Sequence, residues 1–207
     1  EEVRYNAWQS RHVLTAGVHG ILHTHTRTAE SVKAFVQTTR YPFQEIAKDV
    51  IGEGLRGSGG QGPSNEIWGL DKAEYARVAD PWPLNPDGEL ILGLKIEDRY
   101  CLENVEEIVE VPGIGFAEWG PGDMGMSLGY DDAHDPPYPD DMNAARDRIS
   151  AALKSKGIGF YSSWNDDNMT MEERVDYSLD VVGVKMMGAT KEWAEYGRKK
   201  TGRTMPW

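Results

Sequence analysis

The 207-residue sequence has a single cysteine, Cys101, so the chain cannot form an internal disulfide. No apolar run approaches the roughly 18 residues that a membrane-spanning helix needs. Basic residues are also scarce: 22 Lys and Arg stand against 34 Asp and Glu, giving a formal net charge of −12. A surface this acidic repels phosphate backbones and anionic lipids. These absences argue against nucleic acid or a membrane as a partner, and they favour a reducing, cytoplasmic setting.

Strand-like and helix-like segments alternate along the chain. Short apolar runs typical of buried strands occupy residues 17–25, 89–98, 114–119, 157–162 and 181–187. Apolar residues at helical spacing predict helices at residues 28–40, 102–109, 142–156, 171–180 and 191–200. The alternation predicts an α/β fold with a parallel sheet, either open and doubly wound or closed into a barrel. A dinucleotide site is disfavoured because no Gly-x-Gly-x-x-Gly turn joins a first strand to its helix.

Local signals mark several helix ends. Thr28 is a candidate N-cap for the first of these helices, and the dipeptide before Pro42 should end it because a residue before proline disfavours helical geometry. Thr170 and Glu173 have the spacing of a capping box. These signals predict where helices begin and end without reference to the rest of the fold.

Residues 52–69 contain seven glycines and a proline, too many for a regular element. We interpret this segment as a functional loop or lid, with a plain mobile surface loop as the alternative. Arg56 within it either meets a carboxylate of the substrate or is simply solvated.

Two carboxylates stand where the carboxyl ends of neighbouring strands should lie. Glu97 closes the strand run LGLKIE, and Asp123 falls in the glycine-rich turn after the run IGFAEW. Ligands bind at this edge of parallel α/β folds, and paired carboxylates suit Mg²⁺ or Mn²⁺. The structural alternatives are a helix-capping acid for Glu97 and an ordinary turn residue for Asp123. The glycines at 120, 122 and 125 could let backbone N–H groups bind a carboxylate, so the pair would suit a 2-oxo acid.

Two segments carry a family resemblance. Residues 94–130, LKIEDRYCLENVEEIVEVPGIGFAEWGPGDMGMSLGY, resemble the core signature of the HpcH/HpaI aldolase and citrate lyase family. Residues 16–42 are similar to the strand, helix and Arg-Tyr-Pro segment that precede that core. The resemblance therefore covers most of the chain in order, and it is specific for the superfamily rather than for a substrate.

The resemblance implies a (β/α)₈ TIM barrel that carries out metal-dependent aldol chemistry with pyruvate as one product. The metal ligands would be Glu97 and Asp123, holding Mg²⁺ or Mn²⁺, with Co²⁺ as a further option. The backbone around Gly120, Gly122 and Asp123 would bind the pyruvate carboxylate. Arg4, in the Val-Arg dipeptide at the start of the chain, would bind substrate and stabilise the developing oxyanion.

The sequence also departs from the family pattern. The family's earlier strands, one of which carries a His acid/base, have no counterpart, so we expect further residues before Glu1 and treat residues 1–207 as one partial barrel domain. Lys95 stands where relatives often carry Gln, and we predict that it binds substrate as a charged ammonium rather than as a Schiff base. His23 and His25 are spaced to face alike, and His25 is the candidate proton-handling residue. We predict that His134 lies on the surface.

The function predicted from these residues is cleavage or formation of a carbon–carbon bond in a 4-hydroxy-2-oxo acid, giving pyruvate and an aldehyde. Two alternatives stay open: a lyase acting on a CoA thioester of the citramalyl or malyl type, and a barrel relative that binds ligand without catalysis. Because members of the family are commonly oligomers, the resemblance implies a homo-oligomer: a hexamer, a trimer or a dimer. The C-terminal helix, with Trp193, Met205 and Trp207, is a candidate contact element.

Overall fold

The computed structural model of the protein describes residues 5–162, 166–182 and 190–202. Its strands are β1 (Gly20–His23), β2 (Pro81–Trp82), β3 (Leu90–Lys95), β4 (Phe116–Trp119) and β5 (Gly159–Ser162). The helices before β3 are α1 (Trp8–Thr15), α2 (Ala29–Thr39), α3 (Lys48–Ile51), α4 (Gln61–Trp68) and α5 (Lys72–Val78), with a 3₁₀ turn at Ser58–Gly60. The later helices are α6 (Arg99–Glu103), α7 (Val105–Ile108), α8 (Pro121–Leu128), α9 (Asp140–Ser155), α10 (Met171–Asp176) and α11 (Lys191–Thr201), with a π-helical turn at Tyr177–Val182.

The described strands form one parallel sheet in the order β1-β3-β4-β5, with β2 paired to the start of β3. Helices between successive strands make this the α/β fold that the alternating pattern predicts. Within the described ranges, no helix combines the length and the apolar character that crossing a bilayer requires.

The register gives the sheet two different faces. Leu94 pairs with Ala117, which pairs with Phe160, and all three are buried against helices in the main core. We call this side the helix-packed face. Lys95 pairs with Glu118, which pairs with Tyr161, so these polar side chains share the opposite side, the Lys95 face. The sheet thus separates a hydrophobic core from a row of polar and charged groups.

Helix α2 begins and ends where the local signals predict. The Thr28 side chain accepts a hydrogen bond from the Ser31 backbone N–H, and Arg40 leaves the helix with extended backbone angles. Arg40 then forms a fully buried ion pair with Asp80: its Nε lies 2.7 Å from one carboxylate oxygen and a terminal nitrogen lies 3.0 Å from the other. This pair ties the end of α2 to the residue that precedes β2.

The glycine-rich segment is more ordered than its composition predicts. Its second half forms helix α4, because Ser64 donates to the Leu14 carbonyl, Trp68 donates to the Gly17 carbonyl, and Gly69 ends the helix in a left-handed conformation. These contacts with α1 and the loop after it override the low helix propensity of glycine. The interpretation of residues 52–69 as one irregular loop is therefore wrong from Gln61 onwards.

Arg56 is buried rather than solvated or facing a ligand. It donates to the Ala79 carbonyl at 3.2 Å and to the Tyr75 hydroxyl at 2.8 Å. Its guanidinium carbon lies 4.3 Å from the centre of the Tyr41 ring. Arg56 therefore stabilises the packing of the first half of this segment, and neither expectation for it is confirmed.

The C-terminal part of the chain matches the predictions unevenly. Thr170 and Glu173 form the predicted capping box, and α11 is the predicted C-terminal helix. The helix predicted to run to Asp180 instead changes at Tyr177 into the π-helical turn, which extends to Val182. The strand predicted at 181–187 therefore does not begin at 181, and its residues 183–187 lie outside the described residues, as do Met205 and Trp207.

Candidate active site

The candidate site lies on the Lys95 face, at the carboxyl ends of β3 and β4. Glu97 follows β3 by two residues and is almost fully buried, with 1% of its surface exposed. The Ile96 backbone N–H donates to the Glu118 carbonyl at 2.8 Å, which carries the β3–β4 pairing up to Glu97. The predicted position of Glu97 at a strand end is thus found in the fold.

The carboxylate of Glu97 has a different neighbour on each oxygen. The ammonium of Lys95 lies 2.8 Å from Oε2, and Nδ1 of His25 lies 3.5 Å from Oε1. Oε2 is buried, and the ammonium of Lys95 is the cation that it binds in this structure. A buried carboxylate oxygen that binds an ammonium can bind a metal ion in its place.

The backbone of Gly120 lies beside Oε2 of Glu97. A Cβ atom at residue 120 would lie 2.5 Å from Oε2 of Glu97 and 3.1 Å from its Cβ. The backbone therefore approaches the carboxylate more closely than any side chain would allow. A buried carboxylate oxygen in a cradle that only glycine can form fits a site for a hard divalent ion.

Asp123 lies in the first turn of α8 and not in an irregular turn, as the glycine-rich sequence suggested. Pro121 occupies the first turn, where its fixed φ and missing N–H are tolerated, and Gly129 ends the helix in a left-handed conformation. An acidic side chain here interacts favourably with the helix dipole. The Asp123 carboxylate also acts electrostatically on Lys95, so it belongs to the same charged group as Glu97.

Lys95 is held in its charged form by these acids. Burial alone lowers the pKa of Lys95, but its contact with Glu97 and the charges of Glu118 and Asp123 outweigh burial and raise the pKa above its usual value. The interpretation of Lys95 as an ammonium rather than a Schiff-base nucleophile agrees with this environment.

His23 and His25 do not face alike, contrary to the prediction from their spacing. His23 lies in β1 as the register partner of Leu94, so its ring points to the helix-packed face and stacks on Phe35 at 4.8 Å. Burial there lowers the pKa of His23. His25 lies beyond the strand end with a φ of 48°, and this left-handed turn brings its half-exposed ring to Glu97. His25 alone remains a candidate for proton handling.

Residues 2–182 match the sequence profile of the HpcH/HpaI aldolase/citrate lyase family. The chain belongs to this family. Over 149 residues it is 34% identical to the 2-keto-3-deoxy-L-rhamnonate aldolase of Klebsiella pneumoniae, an alignment covering 72% of this chain and 49% of the relative. The corresponding Escherichia coli K12 protein is 32% identical over the same length. The chain thus spans about half the length of the curated relatives that it matches.

Solved structures of the family share the fold. A Burkholderia cenocepacia J2315 protein of the HpcH/HpaI aldolase/citrate lyase family superposes with a TM-score of 0.67 at 20% identity, covering 95% of this chain and 67% of its own. The HpcH/HpaI aldolase of Desulfitobacterium hafniense DCB-2 gives 0.62 at 19% identity, covering 97% and 70%. At this identity the similarity concerns the fold alone.

Most of the predicted site residues lie close together in the fold. Lys95 forms an ion pair with Glu97, Gly120 lies against the Glu97 side chain, and the charge of Asp123 acts on Lys95. Gly122 lies under the ring of His134, whose Cδ2 would be 3.2 Å from a Cβ at residue 122. His134 is an exposed residue, as predicted, but it also borders the start of α8. Arg4 lies outside the described residues, so its predicted role stays a prediction.

Asp98 and Arg27 are the residues that the sequence reasoning undervalued. Asp98, not Glu97, is the helix-capping acid: it accepts from the Cys101 backbone N–H at 2.8 Å and from Arg27 Nε at 2.7 Å. Burial raises the pKa of Asp98, but these hydrogen bonds outweigh it and lower the pKa below its usual value. The cap position was readable from the sequence, whereas Arg27 is 71 residues away along the chain.

Within the ranges that the structure describes, no group of three or more His, Cys, Asp or Glu side chains is arranged to hold a metal ion. Mg²⁺ in enzymes commonly keeps several waters beside one or two carboxylates, so such a group is not required for binding it.

Proposed function

We propose that the protein is a divalent-metal-dependent aldolase that cleaves or forms the carbon–carbon bond of a 4-hydroxy-2-oxo acid, with pyruvate as one product. The observation that carries the proposal is the buried Glu97 carboxylate, whose Oε2 faces Gly120 and already binds a cation, the ammonium of Lys95. Family membership and the naming of the relatives support 2-keto-3-deoxy sugar acids as the substrate class.

We further propose that the parallel sheet is part of a (β/α)₈ barrel. Helices cover one face of the sheet, while Lys95, Glu118 and Tyr161 share the other, as the interior positions of a barrel would. A homo-oligomer, as the family resemblance implies, remains part of this proposal, and so does the cytoplasmic setting that the single cysteine favours.

Glu97 and Asp123 would hold Mg²⁺ or Mn²⁺, with Co²⁺ as a further option. Such an ion supplies Lewis-acid polarisation of the keto group of the substrate. The backbone N–H groups of Gly122 and Asp123, at the start of α8, would bind the substrate carboxylate, because the first N–H groups of a helix have no partner inside the helix.

His25 would handle the proton of the substrate C4 hydroxyl. Its Nδ1 faces Glu97, which leaves Nε2 of the half-exposed ring for the substrate. The carboxylate beside Nδ1 favours the tautomer in which Nδ1 carries the proton and Nε2 accepts one. The family resemblance implies that Arg4 would stabilise the oxyanion that develops on the same substrate.

The test is pyruvate release from 2-keto-3-deoxy-L-rhamnonate, measured with a coupled lactate dehydrogenase assay. We expect release with Mn²⁺, loss in EDTA and recovery on adding Mn²⁺ back. Glu97→Gln should lower the rate by about a hundredfold or more, since changes outside the direct ligands already cost about 10–100-fold. The matched control is Glu106→Gln, which replaces an exposed acid paired with Arg148 and should keep full activity. Full activity in EDTA would refute the proposal.

Two further measurements separate the alternatives. Exchange of the pyruvate methyl protons in deuterated water, followed by NMR, should require Mn²⁺ and the Glu97 carboxylate. Metal binding without any exchange would favour a non-catalytic barrel relative. Saturable binding of acetyl-CoA together with absence of cleavage of the free sugar acid would favour the CoA-thioester lyase.

A further inference from the structure

Lys95 occupies the same carboxylate oxygen that a cation would use. Its ammonium lies 2.8 Å from Oε2 of Glu97, the oxygen that faces Gly120. Glu97 is 1% exposed, so this contact is shielded from water and screened little by salt. The ammonium repels a divalent ion that approaches the same oxygen. Binding of an ion at Oε2 of Glu97 therefore favours displacement of Lys95.

The sheet provides a second acceptor for the displaced ammonium. Glu118 is the register partner of Lys95 in β4, so the two side chains leave neighbouring strands on the same face. The charge of Glu118 also attracts Lys95. The flexible four-carbon stem of lysine lets the ammonium turn from one carboxylate to the other without breaking the strand pairing.

Glu97, Glu118 and Asp123 all attract Lys95, so the ammonium stays among carboxylates when it leaves Oε2 of Glu97. Without Glu118, the displaced ammonium would lose the carboxylate beside it on β4. The Lys95 side chain is 23% exposed and thus only partly shielded from water, so this loss should weaken ion binding moderately.

We propose that Lys95 is a tethered competitor of the metal ion: it pairs with Glu97 in the free protein and moves to Glu118 when the ion binds. Lys95 and Glu118 together then set the affinity for the divalent ion, Lys95 by weakening it and Glu118 by offsetting that loss. This inference rests on the proposed function, because it places the ion at Glu97.

The test is Mn²⁺ binding measured by the EPR signal of free Mn²⁺, which needs no catalytic turnover. We expect Lys95→Gln to bind Mn²⁺ about tenfold more tightly than the wild type and Glu118→Gln about tenfold more weakly, within the range of couplings between contacting residues. In the Lys95→Gln/Glu118→Gln double variant, the Glu118 replacement should cost clearly less than it does alone. Lys156→Gln removes a surface lysine paired with Glu110 and serves as the control for net charge.

The outcomes distinguish the inference from the proposed function. Equal Mn²⁺ affinity in wild type and Lys95→Gln, with binding lost in Glu97→Gln, would overturn the role of Lys95 and leave the metal site standing. Absence of Mn²⁺ binding in wild type and Lys95→Gln alike would overturn both. If Lys95→Gln does not fold, the measurement is repeated with Lys95→Met, whose unbranched side chain resembles that of lysine but carries no charge. A crystal soaked in Mn²⁺ should show Lys95 on Glu118, and Lys95 remaining on Oε2 with the ion bound would contradict the exchange.

Discussion

A Cβ atom at Gly120 would lie 2.5 Å from Oε2 of Glu97, so the carboxylate keeps its position only because residue 120 has no side chain. The φ of Gly120 is −92°, which alanine adopts freely, so the requirement is steric and not conformational. We predict that Gly120→Ala displaces the carboxylate and weakens Mn²⁺ binding by at least about tenfold, as loss of positioning around a ligand does.

The matched control for Gly120→Ala is Gly62→Ala, because nothing lies within 4 Å of a Cβ at residue 62. Both variants should unfold near the wild-type urea concentration, since the far end of the Glu97 side chain can turn away. Unchanged Mn²⁺ affinity in Gly120→Ala would contradict the requirement for a glycine beside the Glu97 carboxylate.

The buried pair of Arg40 and Asp80 should be the costliest ion pair to break. Asp80→Asn keeps the size of the side chain but leaves the Arg40 guanidinium buried without a counter-charge. We expect a loss of about 3–5 kcal/mol in the free energy of unfolding. Glu106→Gln breaks the exposed pair with Arg148 and should change it by less than about 1 kcal/mol. Urea unfolding followed by circular dichroism measures both, and equal losses would be inconsistent with this assignment.

The helix cap formed by Asp98 should stabilise the folded protein independently of the ion pair between Asp98 and Arg27. Asp98→Ala removes the acceptor for the Cys101 N–H, and we expect it to lower the free energy of unfolding by about 1–2 kcal/mol. Asp98→Asn keeps a capping oxygen and loses only the charge opposite Arg27, so it should lose clearly less. If the two variants lose the same amount in urea unfolding, the ion pair rather than the cap stabilises the start of α6.

Cys101 should be unreactive in the folded protein. Burial, assisted by a hydrogen bond with Asp98, raises the pKa of the Cys101 thiol from 9.0 to about 12. The thiolate is the reactive form, so Ellman's reagent at pH 8 should label the protein only after unfolding in urea. Rapid labelling of the native protein would show that the helix around Cys101 opens.

The same raised pKa makes a prediction about stability at high pH. Below pH 9 the thiol is protonated in both states, so its contribution to stability is fully present. Between pH 9 and about 12 the unfolded chain loses the proton while the folded chain keeps it, so stability falls as the pH rises. The free energy of unfolding should therefore drop more from pH 8 to pH 10 in wild type than in Cys101→Ala. An equal drop would contradict the burial of the thiol.

The sequence predicted features that depend on a few neighbouring residues. Thr28 caps α2, and Thr170 and Glu173 form a capping box, because a cap needs only a side chain and the backbone three residues on. Glu97 was placed at a strand end by the apolar run before it. The sequence could not show that Gln61–Trp68 is helical, because contacts with α1 and the loop after it stabilise that helix.

The two histidines show the same limit within one short segment. Alternation along a strand predicted that His23 and His25 point the same way, and it would hold if the strand continued. The chain instead takes a left-handed turn at His25, which sends its ring to Glu97 while His23 packs on Phe35. Strand periodicity predicts side-chain direction only as far as the strand extends.

By itself, the sequence determined the kinds of segment in this protein, the ends of its capped helices, and the presence of acids after two strands, since these follow from local periodicity and capping. The two-residue spacing of Lys95 and Glu97 also places their side chains on one face of the strand. Only the tertiary structure decided that Lys95 stands beside Glu118 and that Gly120 lies against Glu97, because these neighbours depend on the register between β3 and β4 and on a close backbone approach. Register and close packing join residues far apart in the chain, and no local pattern specifies them.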